Sequence, residues 1–463
     1  MSLAQSYDVI VIGGGAAGTA AAIGAASAGA RTLLVESAPF LGGAATLKNV
    51  LTYCGLFTNH QRKQAVFGVA DQVLQQLRGM GAVSEPIQFH GVAVLIEPES
   101  VKYTLDQLCK RAGVHVCLHT MLLSATRNGD HITSVTLHDH NGNHEVSAKV
   151  FVDASGEGDL AFFGGASVRY GNHGTVQTGT LSMRLGGITA DADLTPPSWT
   201  AAIQQAKQRG VKPLVSEHGL FFRVPITNDV ATYFIDEKYD ARDAQSLTEA
   251  EIDGREQARA YLQAIRTLPG CENAYILATG PEIGTRESRH VNALYQVTTQ
   301  DVENGAHFDD VVCLGAWPME YHTEPGQPTV WRMVHENSTY DIPLRTLCSK
   351  DTPNLFVGGR LTDGDSYAGG SLRVMGTSFG TGHGAGVAAA LYVQSQERDY
   401  TSVQKELVHQ NAHIKLDIGS LIANGTLSGS ARATGLEPAR VAAHLSNLAF
   451  LIRVLACHAG CCW

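Results

Sequence analysis

Nowhere in the 463 residues is there an uninterrupted apolar run of the roughly 18 residues that a membrane-spanning helix needs; the nearest approach, 441–459, is broken by His444, Asn447 and Arg453. Nor is there a basic excess. Thirty-four Lys and Arg face 44 Asp and Glu, a formal net charge of −10 that argues against nucleic acid or an anionic membrane as partner. Paired cysteine spacing is missing before the C-terminal tail. Nine cysteines scattered in this way read as reduced thiols of a cytoplasmic protein, not as a disulfide framework. The first seven residues lack a basic stretch ahead of an apolar one, so no signal peptide is expected there.

The composition that remains is that of an ordinary globular protein, 44% hydrophobic and 17% charged, and its length suits two to three domains or one large domain with a cap. Residues 8–12 (DVIVI) form a continuous apolar run, the mark of a strand buried on both faces of a parallel sheet. Glycines follow, then 16–28 with almost no bulky side chain, a helix able to lie close to a sheet; 31–35 reads as the next strand, with Glu36 at its end. Between about 114 and 153, short apolar runs are separated by Asn128-Gly129 and Asn141-Gly142, turn dipeptides that predict an antiparallel meander. A further apolar strand is expected at 354–357 and a small-residue helix at 376–392. The segment 59–95 reads as a helical insertion, 166–340 as a mixed cap facing substrate, and 396–463 as a peripheral helical segment. One nucleotide domain would then be assembled from 1–58, 96–165 and 341–395.

The sharpest chemical signal is Gly13-Gly14-Gly15-Ala16-Ala17-Gly18, a G-x-G-x-x-G between strand and helix. Such a turn brings backbone N–H groups and the positive end of a helix against a pyrophosphate. Glu36, at the end of the next strand, is placed to accept both ribose hydroxyls and to repel a 2′-phosphate. Three more segments bear on the cofactor: Leu41-Gly42-Gly43 with Ala44 and Thr46; Asp153-Ala154-Ser155-Gly156-Glu157-Gly158-Asp159; and NLFVGGR (354–360), leading into SLRVMGTSFGTGHGAG (371–386).

Together these motifs resemble the two-dinucleotide-binding-domain flavoproteins, and most closely the broad group of FAD-dependent oxidoreductases, across most of residues 7–392. The resemblance implies an α/β fold: a Rossmann-type FAD-binding domain, parallel sheet plus antiparallel meander, with an inserted α+β cap. It implies non-covalent FAD held by Gly13, Gly14, Gly15, Ala16, Ala17, Gly18, Glu36, Ser37, Gly42, Gly43, Ala44 and Thr46. The backbone at Leu122 and Leu123 would cradle the adenine. Ala154, Ser155, Gly156 and Asp159 would pass the dinucleotide, as would Gly359 and Arg360. Met375, Gly376, Thr377 and Ser378 would open a helix whose dipole faces the flavin pyrimidine. No second G-x-G-x-x-G follows a strand in mid-chain, so no built-in NAD(P)H domain is expected.

For the reacting groups, the run Gly284-Thr285-Arg286-Glu287-Ser288-Arg289-His290 offers an anion clamp (Arg286, Arg289) and a base (His290). His322 is a second candidate base. Tyr367 and Arg373 precede the flavin-facing helix and so become candidate contacts for a small, anionic substrate. Cys54 reads as an inert thiol, His138, His140 and His144 as a solvated hairpin tip, and Cys457, His458, Cys461 and Cys462 as a tail; no metal is expected. The expected activity is hydride transfer between a small polar molecule and FAD, with the external electron donor or acceptor left open. Two other readings stand beside it. One is a flavin monooxygenase or geranylgeranyl-reductase-like enzyme, which the absence of a G-D-A-A-H-type segment disfavours; the other is a non-catalytic flavin-binding protein.

Overall fold

From Val9 onward, alternate residues of the first strand feed two different cores. In the computed structural model, which describes residues 5–415, β1 (Ser6–Ile12) sends Val9 and Val11 into one apolar cluster and Tyr7, Ile10 and Ile12 into another. β2 (Thr32–Val35) splits in the same way, Leu34 to one side, Leu33 and Val35 to the other. A strand with both faces buried has no polar side, which explains why these runs lack alternation.

The remaining strands of this sheet are β3 (His115–Cys117), β4 (Met121–Asn128), β5 (His131–Asp139) and β6 (Gly142–Asp153). The order is β3-β2-β1-β6-β5-β4, and the short strand Leu355–Val357 also pairs with β6, making seven strands. The meander turns fall at the two Asn-Gly sites. The meander's last strand and the return to the parallel sheet prove to be one continuous strand. β6 pairs antiparallel with β5 from Gly142 to Ser147, then parallel with β1 from Ser147 to Asp153.

Helix α1 (Ala16–Ser27) follows β1, and α2 (Met375–Ser395) follows the Leu355–Val357 strand. Their paucity of side chains is a packing requirement: a Cβ on Gly382 or Gly386 of α2 would stand 2.0 Å from the Ala17 or Ala21 carbonyl oxygen of α1. The two helices therefore lie backbone to backbone and run parallel.

The segment 59–95 departs from expectation. It carries one helix (Val69–Gly79), but its Ile87–Gln88 and Val92–Leu95 strands join Thr52–Cys54 in a three-stranded antiparallel sheet. The run Val92–Leu95 is short, apolar and buried throughout, and periodicity cannot separate such a run from helix. In the cap, β7 (Met183–Gly186), β8 (Leu220–Arg223), β9 (Val230–Tyr233) and β10 (Tyr275–Thr279) form an antiparallel sheet in the order β8-β9-β7-β10. Trp199 and Tyr261, from helices Pro196–Gln208 and Ala244–Ile265, join its core.

The cap is sewn to the nucleotide domain directly after the 42–46 loop. The Lys48 carbonyl accepts from Ser182 Oγ (2.7 Å), and Lys48 Nζ donates to Glu282 Oε2 (3.0 Å) and Ile283 O (2.9 Å). Beyond α2, the helix Tyr400–His409 buries Val403 and Leu407; the rest of the expected C-terminal helical segment, with Cys457, His458, Cys461 and Cys462, lies outside the described residues. Among the described residues no helix is long and apolar enough to cross a membrane, and no group of His, Cys, Asp and Glu is arranged to hold a metal.

Candidate active site

Two helices begin without a side-chain cap. Gly15 is the N-cap of α1 and Val374 that of α2, and neither supplies a capping side-chain bond. Gly359 lies between them, its notional Cβ 3.0 Å from Ala17 Cβ and 3.6 Å from Ser378 Oγ. Gly13 adopts φ +97° and passes so close to the Ala154 carbonyl (2.4 Å from a notional Cβ) that no side chain fits. Gly15 differs. Its φ of −70° is ordinary, and a Cβ there would meet nothing nearer than Gly43 Cα at 3.8 Å. The protein leaves room for a side-chain atom beside Gly15, next to the 42–46 loop, which is tied down by Gly42 N to Gly14 O (2.9 Å) and Thr46 Oγ1 to Leu41 O (2.7 Å).

Glu36 accepts from Gly14 N (2.6 Å), Ala38 N (2.8 Å) and Ser37 Oγ (3.1 Å). The carboxylate thus stands beside the glycine turn, where ribose hydroxyls would meet it. Two uncapped N-termini, the room beside Gly15 and this carboxylate fit a dinucleotide. Gly376 is pressed against the Cys54 carbonyl, and Thr377 Oγ1, in the first turn of α2, is buried without a protein partner. Leu122, on β4, packs against the meander core, whereas Leu123 is exposed.

Beside the start of α2 lies a continuous polar network. Glu320 and His322 leave the strand Met319–Tyr321 two residues apart and so share a side. His322 Nε2 lies 2.9 Å from Glu320 Oε1; Glu320 Oε2 takes Trp317 Nε1 (3.2 Å) and lies 3.4 Å from Arg373 Nη2. The His322 backbone is clamped from the other side, its N–H donating to Gln177 Oε1 (3.2 Å) and its carbonyl accepting from Thr178 N (3.3 Å). Arg286 Nη1 donates to Thr178 O (2.7 Å), with Asp236 the nearest carboxylate at 3.9 Å. Tyr367 stands at the rim, its ring 5.3 Å from Tyr321 and under the Arg332 guanidinium at 4.1 Å.

Electrostatics fixes the protonation of the central pair. Burial alone would raise the Glu320 carboxyl, but the hydrogen bond from His322 and the guanidiniums of Arg373 and Arg286 outweigh it and hold the group well below the usual carboxylate range. Burial, reinforced by the Arg286 charge, pushes the His322 imidazole down to about 4 although Glu320 pulls the other way. At neutral pH the imidazole is therefore uncharged beside a carboxylate. Nε2 carries the hydrogen toward Glu320, and Nδ1, 3.2 Å from the Thr329 hydroxyl, is the acceptor. Since the unfolded chain protonates His322 near its ordinary value of 6.5, folded stability falls as pH drops from about 6.5 toward 4; Glu320, also depressed, adds loss in the same direction. Between pH 7 and 5, urea unfolding of the parent should lose about 2 kcal/mol through His322. His322→Gln should lose correspondingly less, and an equal loss in both proteins would contradict the assignment.

Residues 8–408 match the family described as FAD dependent oxidoreductase. The chain belongs to that family. Digeranylgeranylglycerophospholipid reductases of Thermoplasma volcanium and Thermoplasma acidophilum are 26% and 24% identical over 163 residues, 33% of this chain but only 40% of theirs, so the match spans about two fifths of those relatives. Among solved structures, a geranylgeranyl bacteriochlorophyll reductase-like protein from Thermoplasma acidophilum is 14% identical with a TM-score of 0.45, covering 88% of this chain and 84% of that one. The anhydrotetracycline hydroxylase of Streptomyces rimosus is 12% identical with a TM-score of 0.43, covering 88% and 69%. The protein is an enzyme, and its cofactor is FAD.

Not every residue expected near the FAD ring gathers in this network. Arg289 turns away: Nη1 donates to Glu157 O (2.9 Å) and Asp159 Oδ1 (3.1 Å), and the guanidinium covers Phe162 at 4.4 Å, so it braces the 153–159 loop. His290, 2% exposed, is enclosed between Glu287 Oε1 (2.9 Å) and Thr362 O (3.2 Å), which removes it as a base reaching substrate. Arg360 is also committed, to Gly156 O (2.6 Å), Thr285 O (3.0 Å) and an ion pair with Glu157, and leaves no free fork for pyrophosphate. Ser155 and Gly156 shape the loop, with Ser155 N and Oγ bonded to the buried Asp153 carboxyl. Cys54 lies beside Glu320 and Arg373; burial pushes its thiol up to about 12, the state of an inert sulfhydryl. His138 and His144 are tied to Asn143 and Asp139 within their own hairpin. Sequence reasoning gave Glu320, Gln177 and Thr329 no role; for Glu320 the available signal was the Glu-x-His spacing on an extended run.

Proposed function

We propose that this FAD-dependent oxidoreductase acts on a small, polar, anionic organic molecule whose anionic group is bound by Arg286 and Arg373 and whose proton is exchanged with His322. FAD, when bound, supplies the two-electron hydride chemistry. One observation carries the reading: His322, uncharged beside the Glu320 carboxylate at 2.9 Å, lies in the same cluster as the Arg373 guanidinium, 3.4 Å from Glu320 and two residues before the helix that would face the flavin. A guanidinium beside a reacting centre suits bidentate recognition of an anion. Arg286 has no carboxylate closer than 3.9 Å. In the oxidative direction, Nδ1 of His322 takes the substrate proton, relayed by the Thr329 hydroxyl, and Glu320 stabilises the imidazolium that results. In the reductive direction the same proton returns. Tyr367 forms part of the wall.

The test is a titration of the FAD-loaded protein with acetate and benzoate, read as perturbation of the flavin absorbance band. Arg373→Ala should weaken both by about 10- to 100-fold, the effect of one charge-assisted hydrogen bond. Unchanged affinity would remove Arg373 from the site and make a neutral alcohol or sugar the better substrate.

A further inference from the structure

One face of the cap sheet is covered by helices, and the other is covered only in part. Leu185 and Val230 belong to the helix-packed core, and Ile276 packs against it. On the opposite face Phe222 and Ala231 join the large core of the nucleotide domain. Arg184, paired with Ala231, and Tyr275, paired with Gly186, continue that face outward. There it forms a groove of about 540 Å³, within the roughly 300–1,000 Å³ of small-molecule sites.

Apolar side chains stand open in this groove, Tyr275 at 51% exposure and Leu277 at 50%. A bulge puts Leu277 there. The register shifts between Arg184 and Leu185, so Ile276 pairs with Leu185 and Leu277 is left without a cross-strand partner. In unbroken register Leu277 would oppose Leu185 and enter the core. The Tyr275 ring lies against bare backbone, since a Cβ on Gly186 would stand 2.5 Å from it. In the turn that supplies the groove's Thr227, Asn228 and Asp229, Ile226 is 57% exposed at φ +67°, a conformation rare for a β-branched residue.

The charges in the groove do not balance. Arg184 is neutralised by Asp229, Nε to Oδ2 and Nη2 to Oδ1, both at 2.7 Å. Arg223 spends Nη1 on Asn228 O (3.1 Å) and Nη2 on the Thr189 carbonyl, and has no carboxylate partner among the described residues.

We infer that this groove is a second ligand site, for an amphipathic carboxylate whose apolar body lies on Tyr275 and Leu277 and whose head meets Arg223. A bulge and a left-handed isoleucine both cost the sheet stability, and both turn apolar groups outward at one groove. A guanidinium without a counter-ion beside them selects an anionic head. The site is separate from the reaction centre. Gly186 lies eight residues along the chain from Thr178, whose carbonyl takes Arg286, a separation of up to about 25 Å at ~3.3 Å per residue. The inference therefore does not rest on the anion site proposed above.

The test is calorimetric titration of the FAD-loaded protein with octanoate, in acetate sufficient to fill any site for a small carboxylate. One saturable site is expected, with octylamine failing to bind. Leu277→Asn and Arg223→Gln, both substitutions on the open side of the sheet, should each weaken octanoate about tenfold or more. Circular dichroism checks that both variants are folded, and Arg373→Ala should leave the octanoate affinity unchanged. Absence of a saturable site overturns the inference, as does an affinity that neither Leu277→Asn nor Arg223→Gln alters, or equal binding of octylamine. Loss of octanoate binding in Arg373→Ala alone would return the ligand to the reaction centre. A dimer in sedimentation velocity that Leu277→Asn dissociates, without octanoate binding, would make the occupant a second copy of the chain and equally overturn the inference.

Discussion

Gly15→Val should give a folded, colourless protein that cannot be reconstituted with FAD, with affinity reduced beyond about a thousandfold. The structure separates this outcome from unfolding. Gly15 has an extended backbone that valine adopts freely, and nothing in the protein lies within 3.8 Å of the added Cβ. The branched side chain would occupy only the room left for the pyrophosphate, against the uncapped start of α1. Gly18→Val serves as the contrast. Its Cβ would stand 1.7 Å from the Gly13 carbonyl oxygen, so that substitution should cost the fold itself. Far-ultraviolet circular dichroism and FAD titration of the two variants provide the check. Normal FAD binding by Gly15→Val would place the dinucleotide elsewhere.

The second large effect is expected at His322. His322→Gln should slow anaerobic bleaching of the flavin by a productive substrate by about 10²- to 10⁴-fold, the usual range for loss of a positioned base. Equilibrium binding of acetate should change little, because Arg286 and Arg373 remain. His290→Gln should not reproduce that pattern, since His290 is enclosed by Glu287 and Thr362. Equal slowing by the two substitutions would mean that His322 acts only through the fold.

The parts of this account legible in the sequence are those where the chemistry fixes spacing along the chain. The glycine turn must sit between a doubly buried strand and a helix, with Glu36 closing the next strand, and all of that lies within one short stretch. The small-residue helix was legible because its closeness to α1 excludes side chains; reading it as 376–392 missed only the first residue and the last turn of Met375–Ser395. What escaped was set by tertiary contact. Glu320 and His322 gain meaning only when Gln177, Arg286 and Arg373, from three distant segments, close around them. The parity of 284–290 was also hidden. The regular strand begins only at Arg289, so alternation could not show that Arg286 faces the network while Arg289 turns to the 153–159 loop. In 59–95 the strands were too short for their periodicity to be read.

The reaction centre of this FAD enzyme is proposed to be the Glu320–His322–Arg373 network, not Arg289 and His290. A crystal structure of the FAD complex decides between the two. The pyrophosphate is expected beside Gly15, the ribose on Glu36, the pyrimidine edge of the ring at the first turn of α2, and the open face of the ring toward His322 and Arg373. A ring whose open face is turned to Arg289, with Glu320 and His322 on the far side of the cap, would contradict that assignment.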